Sequence, residues 1–229
     1  MTTKHRALIV YFSHSSQTRK LLQAFAAGLA ESGVDVGWQQ LKTTRKLPFP
    51  LGSVWSTIIM MVETFFHRRY EIEPLDQQDF DGWDVVILAG PTWSYSPCGP
   101  VFSFFDRYGM LLSGKTVIPF ISCRGYWRMH YFQLRLMLAR RKAVTLQPII
   151  FLHTGAEPWR TIGVFLKLAG KAPDLGRSWI GRYYTRFGHT REQVDLAQRL
   201  GAEYGVALKR QELEQMKTVV IKDVEPGRD

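Results

Sequence analysis

Three short stretches of the chain combine residues that can hold an anion with residues that can hold a flat ring. The first, Ser13-His14-Ser15-Ser16-Gln17-Thr18, is rich in hydroxyls and lies between an apolar run and an amphipathic stretch. A phosphate at such a junction meets the free N–H groups of a first helical turn, the positive end of the helix dipole and several side-chain donors, so no lysine is required. The loop itself carries neither the Gly-x-x-x-x-Gly-Lys pattern of nucleotidases nor the Gly-x-Gly-x-x-Gly dinucleotide fingerprint. It also reads as an ordinary Ser/Thr-rich helix cap. The second stretch, Gly90-Pro91-Thr92-Trp93-Ser94-Tyr95-Ser96-Pro97, sets two large aromatics between small polar residues, able to flank a flat heterocycle or simply to cover a sheet end. The third, Ser122-Cys123-Arg124-Gly125-Tyr126-Trp127, repeats the formula.

These stretches need a scaffold that brings them together. Residues 7–12 form a continuous apolar run, as expected of a strand buried on both faces of a parallel sheet. Leu21, Leu22, Phe25 and Leu29 then recur at helical spacing until Gly33 stops them. Further strands are predicted at 34–41, 83–89, 116–121 and 144–152, with helices near 102–110, 126–140 and 190–209 and Thr190 placed to cap the last. The alternation predicts an α/β fold, a doubly wound five-stranded parallel sheet with helices on both faces, in which ligands bind beyond the carboxyl ends of the strands. All three chemistry-bearing stretches follow strands at that edge. The chain is expected to form one domain over residues 1–229, with elaborating insertions at about 42–81 and 154–189 and a fraying polar tail.

Composition narrows the partners. The net charge of +10 is concentrated in the second half: between Arg124 and Lys142 there are six Lys or Arg and no acid. That suits a solvated basic face or an anionic partner. A nucleic-acid partner is not expected, because the basic residues form no recognised motif and lie beside apolar insertions. No signal peptide or spanning helix is predicted, and two cysteines suit a reducing cytoplasm. Cys98 and Cys123 are either a redox pair or two unconnected thiols. His67, His130, His153 and His189 lack ligand spacing, so no metal site is expected.

A resemblance joins these readings. Val10-Tyr-Phe-Ser-His-Ser-Ser-Gln-Thr18 resembles the FMN phosphate loop of flavodoxins and flavodoxin-like quinone reductases, with Ser16 where that pattern has glycine. Pro91-Thr92-Trp93, followed by Ser96-Pro97 and Pro100, is similar to their isoalloxazine loop, and the loops occur in the same order. The resemblance covers roughly residues 7–152 and the final helix. It implies FMN held by Ser13, Ser15, Ser16, Gln17 and Thr18, by Pro91, Thr92, Trp93, Ser94 and Tyr95, and by Ser122, Cys123, Arg124, Gly125, Tyr126 and Trp127. Leu47-Pro48-Phe49-Pro50, Phe65-Phe66 and residues 122–127 also resemble a flavodoxin-like subgroup labelled dialkylresorcinol-condensing enzymes. The basic amphipathic stretch 158–171 is similar to one in flavodoxin-type protoporphyrinogen oxidases, which work beside the membrane.

Both relatives oxidise hydrophobic rings. The expectation is therefore an FMN-dependent oxidoreductase acting on a hydrophobic, ring-shaped or quinone-like substrate, with NAD(P)H as candidate electron donor and the flavin carrying the redox chemistry. The alternative is a flavodoxin-type electron carrier without its own substrate. No side chain stands out as catalytic acid or base. The apolar segments 54–66 and 159–168 are expected to wall the substrate site, and 54–66 also suits a dimer contact or a face against an anionic membrane.

Overall fold

The computed structural model describes residues 5–153, 157–171 and 187–222. Along the chain run β1 (Arg6–Tyr11), α1 (Gln17–Glu31), β2 (Asp35–Gln40), α2 (Val54–Phe65), β3 (Val85–Trp93), β4 (Ser96–Pro97), α3 (Gly99–Tyr108), β5 (Thr116–Cys123), α4 (Trp127–Arg140), β6 (Val144–Thr145), β7 (Ile149–Leu152), α5 (Trp159–Leu168), α6 (Arg191–Lys209) and β8 (Val219–Ile221). The main sheet has the order β2-β1-β3-β5-β7-β8, every neighbouring pair parallel.

Alternation along β1 shows why its sequence is apolar throughout. Ala7, Ile9 and Tyr11 point to one face and join Phe25, Leu29, Leu200 and Tyr204 of α1 and α6. Leu8, Val10 and Phe12 point to the other and join Phe104 and Phe105 of α3 with Leu134 and Leu138 of α4. A strand covered on both sides has no polar face to keep.

The expected five strands become six in the main path. Val219–Ile221, in a tail read as polar, pairs parallel with β7 through Ile149↔Val219 and Phe151↔Ile221. The single strand expected over 144–152 is two, β6 and β7, because the chain between them includes Pro148, which has no N–H to give to a ladder. β3 continues past the predicted break at Gly90-Pro91 and folds back as β4.

The insertion at 42–81 is pinned at its base. Glu73 N–H donates to Lys42 O, Thr44 N–H donates to Glu71 O, and Thr43 and Ile72 form an antiparallel bridge. Between these ends, α2 starts at Ser53, whose hydroxyl accepts from Ser56 N–H. The helix packs against α5 of the second insertion, and Leu51 N–H donates to Leu168 O at 2.7 Å. The two insertions therefore meet above the carboxyl edge of the sheet.

Candidate functional site

The first loop turns from β1 into α1 through Ser16, at φ 62° and ψ 0°. This left-handed conformation is the one a glycine adopts freely and an L-residue resists. Ser13 Oγ accepts from Arg19 N–H, but no acceptor takes the N–H groups of Gln17 and Thr18 among the described residues. The helix has no side-chain cap and no acid in its first turn. Its positive end is thus left open towards the cavity that His14, Ser15, Gln17 and Thr18 line.

The second loop is a two-residue hairpin. Thr92 pairs with Pro97 and Trp93 with Ser96, leaving Ser94 (φ 43°) and Tyr95 (φ 70°) both left-handed, the geometry that tight hairpins require. Thr64 of α2 holds the turn through a 2.7 Å hydrogen bond between its Oγ1 and Ser94 Oγ. The third loop enters α4 through Tyr126, again left-handed at φ 57°. Each loop therefore carries strained backbone at the same sheet edge.

A cavity of about 290 Å³ lies between these loops and the two insertions. Of the sequence-predicted residues it takes Ser15, Gln17, Thr18, Pro91, Thr92, Trp93, Ser94, Ser122, Cys123 and Arg124. Thr57, Met60, Met61 and Thr64 of α2 and Thr161, Ile162, Val164, Phe165 and Leu168 of α5 wall it. A second cavity of about 420 Å³ adjoins it, sharing Met61, Thr92, Ser94 and Arg124 and adding Tyr95, Gly125 and Tyr126 to the end of α2. Three expected residues line neither. Ser13 is engaged by Arg19, Ser16 shapes the turn, and Trp127 packs against the cluster of Ile121 and Leu152 beneath Arg128.

Histidines that spacing did not single out support the loops from behind. His130 is buried and bonds Thr92 Oγ1 through Nδ1 at 2.7 Å, and burial pushes its pKa down to about 3. His189 joins Ser122 to α6. Gln193 donates its amide to Leu152 O, so its Oε1 accepts from His189 Nδ1–H at 3.0 Å; Nε2 then accepts from the Ser122 hydroxyl at 2.7 Å. Burial lowers His189 to about 4, with the Gln193 bond acting the other way. The side chain of Gln17 accepts His189 N–H, so it braces the loop as well as lining the cavity. His153 lines the cavity with its buried Nδ1 lacking a partner among the described residues, and burial together with His189, Arg124 and Arg160 holds it well below the usual histidine range. His14 donates from Nε2 to Pro48 O at 3.0 Å, and its ring meets Phe49 and Trp93.

The cysteines are not a thiolate pair. Both are free and buried, and desolvation pushes each to about 12. Cys123 borders the cavity, whereas Cys98 packs beneath Gly90 and Val101. No group of metal-ligating side chains occurs among the described residues.

One stretch matches a nucleotidase pattern in letters alone. Gly109-Met-Leu-Leu-Ser-Gly114-Lys115-Thr116 has the Gly-x-x-x-x-Gly-Lys-Thr spacing, but it runs from a 3-10 turn into β5. A phosphate loop needs a strand before it and a helix N-terminus after it, the reverse order.

The open helix end, the hydroxyls and the aromatic-flanked slot fit a phosphorylated flat ring, and the comparisons agree. The family model described as NADPH-dependent FMN reductase matches residues 6–157. No curated protein matches the chain. Among solved structures, a flavodoxin from the domain Archaea is similar at TM-score 0.51 and 13% identity, covering 89% of this chain and 99% of that one. A flavoprotein from Bacteroides eggerthii gives TM-score 0.52 and 17% identity, covering 73% and 99%. Another from Bacteroides uniformis gives 0.50 and 17%, covering 65% and 92%. The fold is therefore flavodoxin-like.

Proposed function

As the chain belongs to the NADPH-dependent FMN reductase family, we propose that this FMN-dependent oxidoreductase takes electrons from a reduced nicotinamide and passes them to a hydrophobic, quinone-like ring. The observation that carries the substrate class is the wall formed by α2 and α5. A flavin serving only as an exposed carrier edge needs no such wall, and these two helices come from insertions beyond the minimal sheet.

In this reading Ser15, Thr18 and the free N–H groups of Gln17 and Thr18 hold the FMN phosphate. Pro91, Thr92, Trp93 and Ser94, with Ser122, Cys123 and Arg124, hold the ring. Ser122 offers its lone pairs to the cavity because its proton is committed to His189. Bound FMN supplies the two-electron redox chemistry. Arg124, which lines both cavities, would offer its positive charge to the ring as electrons are gained. Met60, Met61, Ile162 and Phe165 exclude water from the substrate side.

Anaerobic titration with NADPH tests this. Bleaching of the flavin followed by reoxidation with a lipophilic quinone is expected. Failure to bleach, or reoxidation by ferricyanide but not by quinone, would return the protein to the electron carriers. Met61→Ala with Phe165→Ala should lower quinone turnover by about tenfold, roughly 1.4 kcal/mol, with FMN still bound; loss of FMN instead overturns the wall's assignment. We also propose an anionic membrane surface as the source of such a substrate, met by exposed apolar residues beside the basic face of α4.

A further inference from the structure

We propose that the second cavity is a subsite for an amphipathic acid, a hydrophobic ring or chain bearing one carboxylate, and that Arg124 selects it. The proposal rests on the reading of the first cavity as the flavin site and names the chemistry of the molecule beside it.

The walls are apolar and aromatic. On one side stands the last turn of α2, with Met61, Val62, Phe65 and Phe66; on the other are Tyr95 and Tyr126, whose rings meet edge to face at 4.7 Å. Both tyrosines are held there by left-handed backbone, φ 70° and 57°, which the chain maintains against its steric cost. Phe66 is 75% exposed although it borders a concave space, so an apolar occupant would cover surface that now faces water.

Among the described residues a single fixed charge stands in this setting. Arg124 lines both cavities, and no other described Lys, Arg, Asp or Glu lines either of them. None of the ion pairs among the described residues includes it. Its guanidinium therefore meets the apolar pocket with no counter-ion among the described residues, and a carboxylate matches its fork in a bidentate pair. One charge suits a monoanion with an apolar body. A dinucleotide, with several phosphates and a polar body, would find one cation and a greasy wall.

Position gives the pair a role. Because Arg124 belongs to both cavities, an acid bound to it has its apolar body against Phe65, Tyr95 and Tyr126 and lies next to Thr92 and Ser94 at the mouth of the first cavity. Arg124 thus acts as a specificity-determining residue for the same redox site.

The test uses the full-length FMN-loaded protein, 2-naphthoate and its methyl ester, with binding read by calorimetry and FMN content by absorbance. The acid is expected to bind at least about tenfold more tightly than the ester. Arg124→Gln should abolish that preference, bringing acid and ester to the same affinity within the variant, and Arg124→Lys should restore part of it. Val62→Trp, filling the apolar side, should weaken both ligands with FMN content unchanged. Equal affinity for acid and ester, a preference surviving Arg124→Gln, displacement of naphthoate by NADP+, or loss of FMN on Val62→Trp would each overturn the proposal. Absence of FMN from the wild-type protein would instead overturn the flavin reading, since calorimetry registers naphthoate with or without it.

Discussion

Ser16 shows how a single residue can carry both the turn and its cost. At φ 62° its Cβ crowds the neighbouring carbonyl, a penalty of about 1 kcal/mol or more that glycine does not incur. Ser16→Gly should therefore stabilise the protein by roughly 1 kcal/mol, less what the freer unfolded chain regains, and Ser16→Val should destabilise it by more than that. Urea midpoints measure both, and a stability unchanged by valine would show the turn to be unstrained. The buried histidines set a pH dependence. His130 and His189 have folded-state pKa values of about 3 and about 4, well under the ordinary value of 6.5. Below pH 6.5 the unfolded chain binds these protons and the folded one does not, so stability falls as pH drops from 6.5 towards 4, by up to about 1.4 kcal/mol per pH unit for each group. His130→Gln should remove one group's share of that slope between pH 6.5 and 5; an identical slope would sink the assignment. Ser16 was readable beforehand because it stands in a motif. These histidines were not, because Thr92 and Ser122 lie 38 and 67 residues away and only the fold makes them neighbours.

At the scale of elements, α1 and α6 approach so closely that their backbones touch. A Cβ on Gly28 would collide with Gln198 O, and one on Gly201 with Phe25 O. Gly201→Ala should consequently push the helices apart and destabilise the protein by about 2 kcal/mol or more, despite alanine's better helix propensity. A thermal melt at or above the wild-type midpoint would contradict this. The start of α6 carries a second dependence. Thr190 and Gln193 form a reciprocal capping box, and Gln193 also fixes the tautomer of His189 behind Ser122. Thr190→Ala should cost about 1 kcal/mol of stability, whereas Gln193→Ala should cost more and also lower FMN affinity; equal FMN affinity in both variants would separate the cap from the site. Elements with strong periodicity, such as β1, α1 and α6, were legible because one physical demand wrote each pattern: two-sided burial for the strand, one-sided burial for the helices. β8 was not, since three apolar residues in a polar tail show no period, and its pairing depends on an edge that β7 offers only in the folded sheet. The loops' order along the chain pointed to the edge where the cavity lies, and the apolar character of 54–66 and 159–168 marked them as candidate walls; that α2 and α5 pack on each other is a contact no local pattern encodes.

Over the whole molecule, charge and apolar exposure coincide on one side. The second cavity joins exposed Phe65 and Phe66 to Tyr126, and from there α4 carries exposed Met129, Phe132 and Leu136 beside Arg128 and Arg135. With a net charge of +10, such a surface supports the proposed contact with an anionic bilayer, in which aromatic side chains would enter the headgroup region and each nearby Lys or Arg would contribute about 1 kcal/mol. Contact would be peripheral, because no helix among the described residues is long and apolar enough to cross a membrane. The protein should sediment with phosphatidylglycerol-containing vesicles and not with purely zwitterionic ones. Raising salt from about 50 to about 300 mM should release it, since the Debye length shortens over that range. Phe65→Ser with Phe66→Ser should weaken association by about tenfold, removing roughly 1.4 kcal/mol of apolar contact, without altering FMN absorbance. Arg128→Glu with Arg135→Glu should flatten the salt dependence instead. The two pairs probe different forces on one face, so binding that depends on the arginines but not on the phenylalanines would describe a general basic protein, and binding to both vesicle types alike would remove the electrostatic half of the argument.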